Sequence, residues 1–199
     1  MPSKKINERE RRKAKGNHRR VRAFLDDEVL NTALKSVKIL LCDVDGVLTD
    51  GTVLMGGGIE TKRFSIQDGL GLRLLQRAGI KVGWISNRPS SATTQRANDL
   101  KVDFLEQRLG SKVIVAEEIL ARTGLSWTDV CYIGDDLVDL ALLKRAGVAV
   151  AVSNGIHEVK EQADYVTKSA GGQGAVREIV EMILRAQRKW TPLVKEFCE

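Results

Sequence analysis

The chain has 199 residues and a mass of 22.0 kDa, the size of one globular domain with an appendage, which excludes a multidomain enzyme. With 43% hydrophobic residues, 29% charged and 3 prolines it can fill a core, so disorder of the whole chain is excluded as well. The net charge of +6 is uneven: residues 1–22 carry ten Lys or Arg against Glu8 and Glu10, a net +8, so the remainder is net −2. Residues 1–24 therefore read as a basic, flexible arm in which His18 is solvated. Its charge can attract a polyanion such as RNA by counterion release, although no aromatic residue interleaves residues 1–22 to stack bases. Behind the arm, residues 26–34 place Leu30, Ala33 and Leu34 at helical spacing after Asp26, Asp27 and Glu28, a short leading helix. From residue 37 the chain alternates apolar, β-branched runs at 37–42, 80–85, 102–105, 130–133 and 148–152 with helical segments at 70–78, 91–100, 113–122, 137–145 and 176–187. That alternation predicts an α/β fold, a Rossmann-like doubly wound parallel sheet covered on both faces. Residues 52–55 and 59–64 interrupt the alternation around Gly56, Gly57 and Gly58, the mark of a projecting β-hairpin. The residues from 190 to 199 read as a tail.

No apolar run approaches the roughly 18 residues that suggest a membrane span, so no membrane partner is expected. Three cysteines cannot complete a disulfide framework, and Cys42 and Cys131 stand in apolar, β-branched surroundings that suit a reduced thiol. No apolar stretch follows the first residues, so no secretory signal is read and the cytoplasm is the expected location.

In an open α/β sheet, ligands bind beyond the carboxyl ends of the strands. Residues 43–51 read Asp-Val-Asp-Gly-Val-Leu-Thr-Asp-Gly directly after the first strand, so Asp43 and Asp45 emerge at such an end. Close carboxylates repel and each loses hydration on burial, which a hard divalent cation offsets. The plain alternative is an acidic turn whose carboxylates bond loop amides. A second acidic cluster, Asp135, Asp136 and Asp139, follows the strand at 130–133; here the plain alternative is helix capping by Asp135 or Asp136. Two acidic strand ends in one sheet point together to a magnesium site with phosphate chemistry. Ser86, Asn87 and Arg88 end another strand and Lys112 opens a helix, so hydroxyl and cationic groups gather at the same edge. The remaining candidates read as packing or surface: Trp84 and Trp127 in the core, His157 at a helix start, and Gly171, Gly172 and Gly174 as a flexible turn near the mouth.

The ordered set Asp-x-Asp-Gly, Ser, Lys and Gly-Asp-Asp-x-x-Asp resembles the haloacid dehalogenase superfamily of phosphotransferases over about residues 37–187. The resemblance implies Asp43 as the nucleophile that forms an aspartyl phosphate and Asp45 as the general acid and base. It implies Mg2+ held by Asp43, the Asp45 carbonyl and Asp135, with Asp136 and Asp139 orienting groups behind them. Thr49, Ser86, Asn87, Arg88 and Lys112 would bind phosphate and substrate. The intervals from Asp43 to Ser86 and from Ser86 to Lys112 leave no room for a cap domain, so a capless member with its phosphatase domain at residues 25–189 is expected. The stretches 43–51, 64–71 and 170–178 are similar to the 3-deoxy-D-manno-octulosonate 8-phosphate phosphatase family. That similarity implies a small phosphorylated sugar acid as substrate, lipopolysaccharide sugar synthesis as the setting and a homotetramer whose hairpins, and the tail, complete neighbouring sites. The family has Gly where Asn87 stands, and Asn tolerates the left-handed backbone that such a Gly can adopt. Two other readings stay open: hydrolysis of a nine-carbon sugar-acid 9-phosphate, and a noncatalytic module whose basic arm recruits nucleic acid.

Overall fold

Strand β1 (Ile39–Cys42) has every residue buried, with Leu40 and Cys42 facing one apolar cluster and Ile39 and Leu41 the other. A strand buried on both faces reads as an unbroken apolar run, which is why the central strands were legible in the sequence. The computed structural model describes residues 27–198, so the basic arm and His18 lie outside the described residues. Within them the order is α1 (Asp27–Ser36), β1, a hairpin of β2 (Leu54–Gly56) and β3 (Ile59–Thr61), α2 (Ile66–Arg77), β4 (Lys81–Ser86), α3 (Ser91–Leu100), β5 (Phe104–Gln107) and α4 (Lys112–Thr123). There follow β6 (Val130–Gly134), a short α5 (Leu140–Leu143), β7 (Val148–Ala151), α6 (His157–Gln162), β8 (Tyr165–Val166), α7 (Ala175–Ala186) and α8 (Trp190–Lys195).

The six long-range strands form one parallel sheet in the order β5-β4-β1-β6-β7-β8. β1 lies between β4 and β6, so the chain winds outward in both directions from it, and the crevice beyond its carboxyl end is the expected ligand position in a doubly wound sheet. One core lies under α1, α2, α3, α7 and α8, represented by Leu34, Leu75, Trp84 and Ile183; the other lies under α4, α5 and α6, represented by Ile119, Tyr132, Leu143 and Val159. Trp84 stacks on Phe64 with centroids 6.1 Å apart, the packing role expected for it.

Several elements differ from the expectation. The helix expected at 137–145 is a 3-10 turn, Leu137–Asp139, followed by the four residues of α5, because Asp136 and Asp139 form a reciprocal cap that sets the turn. α6 and the two-residue β8 escaped notice, since neither is long enough to show a period. Residues 190–198 are not a loose tail. They form α8 and a turn that pack on their own chain: Leu193 is buried, Trp190 lies against the guanidinium groups of Arg177 and Arg185, and Glu196 pairs with Arg77 at the last turn of α2. α2 leads back from the carboxyl edge of the sheet to the start of β4, so this contact sits at the edge opposite the strand ends that carry the acidic loops. The hairpin has its expected glycine turn, with Gly57 and Gly58 both at positive φ.

Candidate active site

The loop after β1 turns because Thr49 is buried within it. Its hydroxyl accepts the amides of Gly46 at 3.3 Å and Gly51 at 3.2 Å, so it closes the loop on itself. Thr49 is fully buried and the bonds of its hydroxyl are internal to the loop. Gly46, at φ +95°, admits a close neighbour as well as an unusual backbone: a Cβ there would collide with the Asp135 carboxylate. The Gly of Asp-x-Asp-Gly thus lets the two acidic loops meet.

At their junction Asp43 is buried, and its Oδ1 lies 2.8 Å from Lys112 Nζ, the first residue of α4. The same ammonium donates to Asp139 Oδ1 at 2.8 Å. Asp139 is fully buried and saturated: Oδ1 also accepts from Tyr132 Oη at 2.6 Å, and Oδ2 accepts the amides of Asp135 at 2.9 Å and Asp136 at 3.3 Å. Burial alone would lower the Lys112 pKa, but Asp43 and Asp139 outweigh it and hold the ammonium above its usual value. Burial, helped by the Asp139 charge, raises Asp43 to about 6 although Lys112 pulls the other way. Burial, then the charges of Asp43 and Asp139, raise Asp135 to about 8.

Those shifts and the geometry test the site for a cation. Asp43, Asp135 and Asp139 can each offer an oxygen within 4.8 Å of the others. Asp139 has no free lone pair after its four donors, whereas Asp135 Oδ1 is buried without a hydrogen-bond partner and Asp135 crowds the Asp43 carboxylate. Two crowded carboxylates, one with an orphaned oxygen, fit a hard divalent cation held by oxygen ligands. Asp139 is therefore a support for Lys112 and for the Asp135 loop. Asp136 is different: its side chain is exposed and caps the 3-10 turn, accepting the Leu137 amide at 2.7 Å and taking its part in the reciprocal cap with Asp139. This is the geometry of the capping alternative.

The remaining expected residues are at the same sheet edge. Ser86 is buried, and its hydroxyl accepts the Arg88 amide at 3.0 Å and donates to the Arg88 carbonyl at 3.2 Å, which shapes the loop after β4. Asn87 is half-buried, with Oδ1 enclosed and unpartnered. It is not among the residues at positive φ, so this turn does not need the conformational freedom of a glycine. Arg88 pairs with Glu60 Oε2 at 2.6 Å, the ion-pair alternative, and reaches back to the hairpin. Asp45 is partly exposed, with Oδ1 2.7 Å from Lys62 Nζ. Glu60 and Lys62 were missed because charges in a hairpin strand read as solvated. The available signal was the inverted alternation: Ile59 and Thr61 point out while Glu60 and Lys62 point in. Tyr132 was missed because it reads as core, and only its bond to Asp139 shows its second task.

Gly171 and Gly172 are not a flexible turn. A Cβ at Gly171 would collide with the Gly46 carbonyl oxygen, the Gly171 amide donates to Asn154 Oδ1 at 2.9 Å, and the Gly172 amide donates to the Val47 carbonyl at 2.9 Å. Loop 170–174 therefore packs backbone to backbone under the Asp43 loop. Asp68 ties α2 to the same region by accepting the amides of Gly174 at 3.3 Å and Arg177 at 2.7 Å.

Comparison with known proteins agrees with this geometry. A family profile described as haloacid dehalogenase-like hydrolase matches residues 107–179. 3-Deoxy-D-manno-octulosonate 8-phosphate phosphatase KdsC of Yersinia pestis is 40% identical over 164 residues, covering 82% of this chain and 87% of its own length. The Escherichia coli K12 protein of the same name is 37% identical over 156 residues, covering 78% and 83%. The crystal structure of the Moraxella catarrhalis phosphatase of that name, in complex with magnesium ion, phosphate ion and a KDO molecule, superposes with a TM-score of 0.82 at 36% identity, over 84% of this chain and 97% of that one. With that identity spread over four-fifths of its length and the acidic strand ends meeting as described, the chain belongs to the 3-deoxy-D-manno-octulosonate 8-phosphate phosphatase family of haloacid dehalogenase-like hydrolases.

Proposed function

We propose that this protein is a Mg2+-dependent phosphatase that hydrolyses 3-deoxy-D-manno-octulosonate 8-phosphate to the free sugar acid and inorganic phosphate. The observation that carries the reading is the buried Asp43–Lys112–Asp139 chain with Asp135 beside it, because an anionic nucleophile needs this neutralisation to approach a phosphate. An Asp43 oxygen attacks phosphorus, the bond from phosphorus to the sugar oxygen breaks, and Asp45 gives that oxygen a proton. Asp45 then takes a proton from water as the water attacks the aspartyl phosphate, which releases phosphate and restores Asp43. Lys112 and the Ser86–Arg88 loop hold the phosphoryl oxygens, with Asn87 adding an amide beside them. Asp43, Asp135 and the Asp45 carbonyl would hold Mg2+, which supplies charge neutralisation of the phosphoryl group when bound.

The enzyme works as a homotetramer in this reading. Leu54, Met55 and Ile59 on the hairpin are 64%, 72% and 69% exposed, and a two-stranded hairpin with such a surface is marginal in water unless covered. A neighbouring subunit covers it and walls a site that has no cap. The described part of the tail docks on its own chain, so this reading gives the covering role to the hairpin. The cytoplasm is the proposed location: Cys42 and Cys131 are free, buried thiols, and no helix among the described residues is long and apolar enough to cross a membrane.

A phosphate-release assay over eight- and nine-carbon sugar-acid phosphates, with Mg2+ and with chelator, tests the proposal. The eight-carbon ester is expected to give the highest kcat/KM and to lose turnover on chelation. Preference for the nine-carbon ester would overturn the substrate, and turnover independent of divalent cations would overturn the chemistry.

A further inference from the structure

Among the described residues, the one buried lysine near the site that this mechanism does not use is Lys62. It leaves the hairpin just after β3, and its side chain has no exposed surface. Its ammonium lies 2.7 Å from Asp45 Oδ1, donates to the fully buried Thr93 Oγ1 at 3.2 Å, and lies 3.7 Å from Glu60 Oε1. Glu60 is itself fixed: Arg88 and Ser90 hydrogen-bond it and hold its carboxyl below the usual range. The ammonium is thus enclosed by three groups on three elements: the loop after β1, the end of the hairpin and α3. A buried ammonium costs several kcal/mol of desolvation, so it persists only where such partners compensate it.

The consequence for Asp45 is an asymmetry between its oxygens. Both oxygens are enclosed and neither has a hydrogen-bond partner; what distinguishes them is the ion pair, which places the Lys62 ammonium 2.7 Å from Oδ1. We propose that Lys62 is a positioning residue that clamps Oδ1 and so leaves Oδ2 as the oxygen that passes the proton to the leaving group. The inference rests on the reading of Asp45 as the general acid. Because Lys62 is sealed from solvent it does not touch substrate and acts only through Asp45. Its role is distinct from the charge neutralisation by Lys112, which faces Asp43.

The acid matters in proportion to how poor the leaving group is. An alkoxide must be protonated as it departs, whereas p-nitrophenolate leaves without a proton. The value of kcat/KM reads the steps up to that departure and is blind to the later hydrolysis of the aspartyl phosphate. The experiment measures kcat/KM in Mg2+ for a series of substituted phenyl phosphates and a simple alkyl phosphate, none of which carries the sugar. It compares the wild type with Lys62→Met, Thr93→Val and Asp45→Asn. Lys62→Met is expected to steepen the dependence on leaving-group pKa, losing about 100-fold on the alkyl ester and no more than about threefold on p-nitrophenyl phosphate, within the range of general acid catalysis. Thr93→Val removes one anchor of the ammonium at nearly constant volume and tilts the series in the same direction by a smaller factor. It decides alone if Lys62→Met does not fold. An equal loss on every leaving group marks a merely structural lysine and overturns the proposal, as does a loss below about twofold throughout. If Asp45→Asn itself leaves the slope unchanged, the reading of Asp45 as the acid falls, and this inference falls with it.

Discussion

Replacing Asp139 by Asn removes one oxygen's worth of acceptor from the most heavily used side chain of the site. The carboxylate satisfies four donors: Lys112 Nζ, Tyr132 Oη and the amides of Asp135 and Asp136. Asn keeps one acceptor oxygen and turns an NH2 group toward two of those donors, whichever way it lies. In one orientation the two loop amides are left unsatisfied and in the other Lys112 Nζ and Tyr132 Oη are; in both, Lys112 keeps only Asp43 as a charge partner. Each charge-assisted hydrogen bond nets about 1.5–3 kcal/mol, and breaking a buried ion pair costs about 3–5 kcal/mol. We therefore expect a loss of about 4 kcal/mol, a drop of roughly 10 °C in Tm for a domain of this size. Activity falls as well, by at least about 100-fold, because Lys112 and the Asp135 loop lose their common support. The neighbour Asp136→Asn is the control: Asn caps a helix end as well as Asp does, so the exposed cap on the Leu137 amide is kept and Tm and turnover should both survive. Calorimetric melting and phosphate release on both variants make the test. An Asp139→Asn protein that melts within about 3 °C of wild type would refute the view that all four donors depend on this carboxylate.

Asp43→Asn should fold and lose more than about 1000-fold in kcat, since an amide is a poor nucleophile at nearly equal volume; trapping of phosphoprotein by mass spectrometry should find none in the variant. Chelation should destabilise the protein increasingly with pH. Asp43 and Asp135 are raised in the fold to about 6 and about 8, above their unfolded values near about 4. The cation-free fold is therefore at full strength below about pH 4 and loses stability as pH rises through 6 and then 8. The gain in Tm from Mg2+ over chelator should be larger at pH 8 than at pH 5, and an equal gain at both would show that these carboxylates are not the ones relieved. Glu substitutions at Leu54 and Ile59 together should convert the proposed tetramer to smaller species and raise KM with little change in Tm; multi-angle light scattering beside kinetics reads both, and a tetramer that survives them would place the interface elsewhere.

The sheet was legible because strands buried on both faces leave unbroken apolar runs, and the site was legible because acidic residues at two strand ends are hard to explain otherwise. What escaped the sequence shares one physical cause: the chain order does not show which partner a side chain turns to, whether that partner is near or far along the chain. Thr49 has the chemistry of a substrate ligand, but its hydroxyl is consumed by amides two and three residues away inside a closed loop. Lys62 has the chemistry of a surface charge, and only the return of the hairpin onto Asp45 and Thr93 buries it. The tail looked loose because Trp190 and Leu193 are too few to show a period, yet Arg177 and Arg185 on α7 receive Trp190 and Arg77 on α2 receives Glu196. Asp136 and Asp139 are separated by two residues, and nothing in that spacing says which turns inward.

The glycine loop beneath the Asp43 turn has a consequence for how the site moves. Glycine-rich loops at an active-site mouth commonly open and close, and their amides exchange with solvent quickly. Here the Gly172 amide is bonded to the Val47 carbonyl, and the Gly171 backbone fills the space against Gly46 that any side chain would need. Those amides should exchange with deuterium as slowly as those of the central strands. The nucleophile would then sit on a platform with the stiffness of the core, and what motion the reaction requires must come from the hairpin side, where Asp45 meets Lys62.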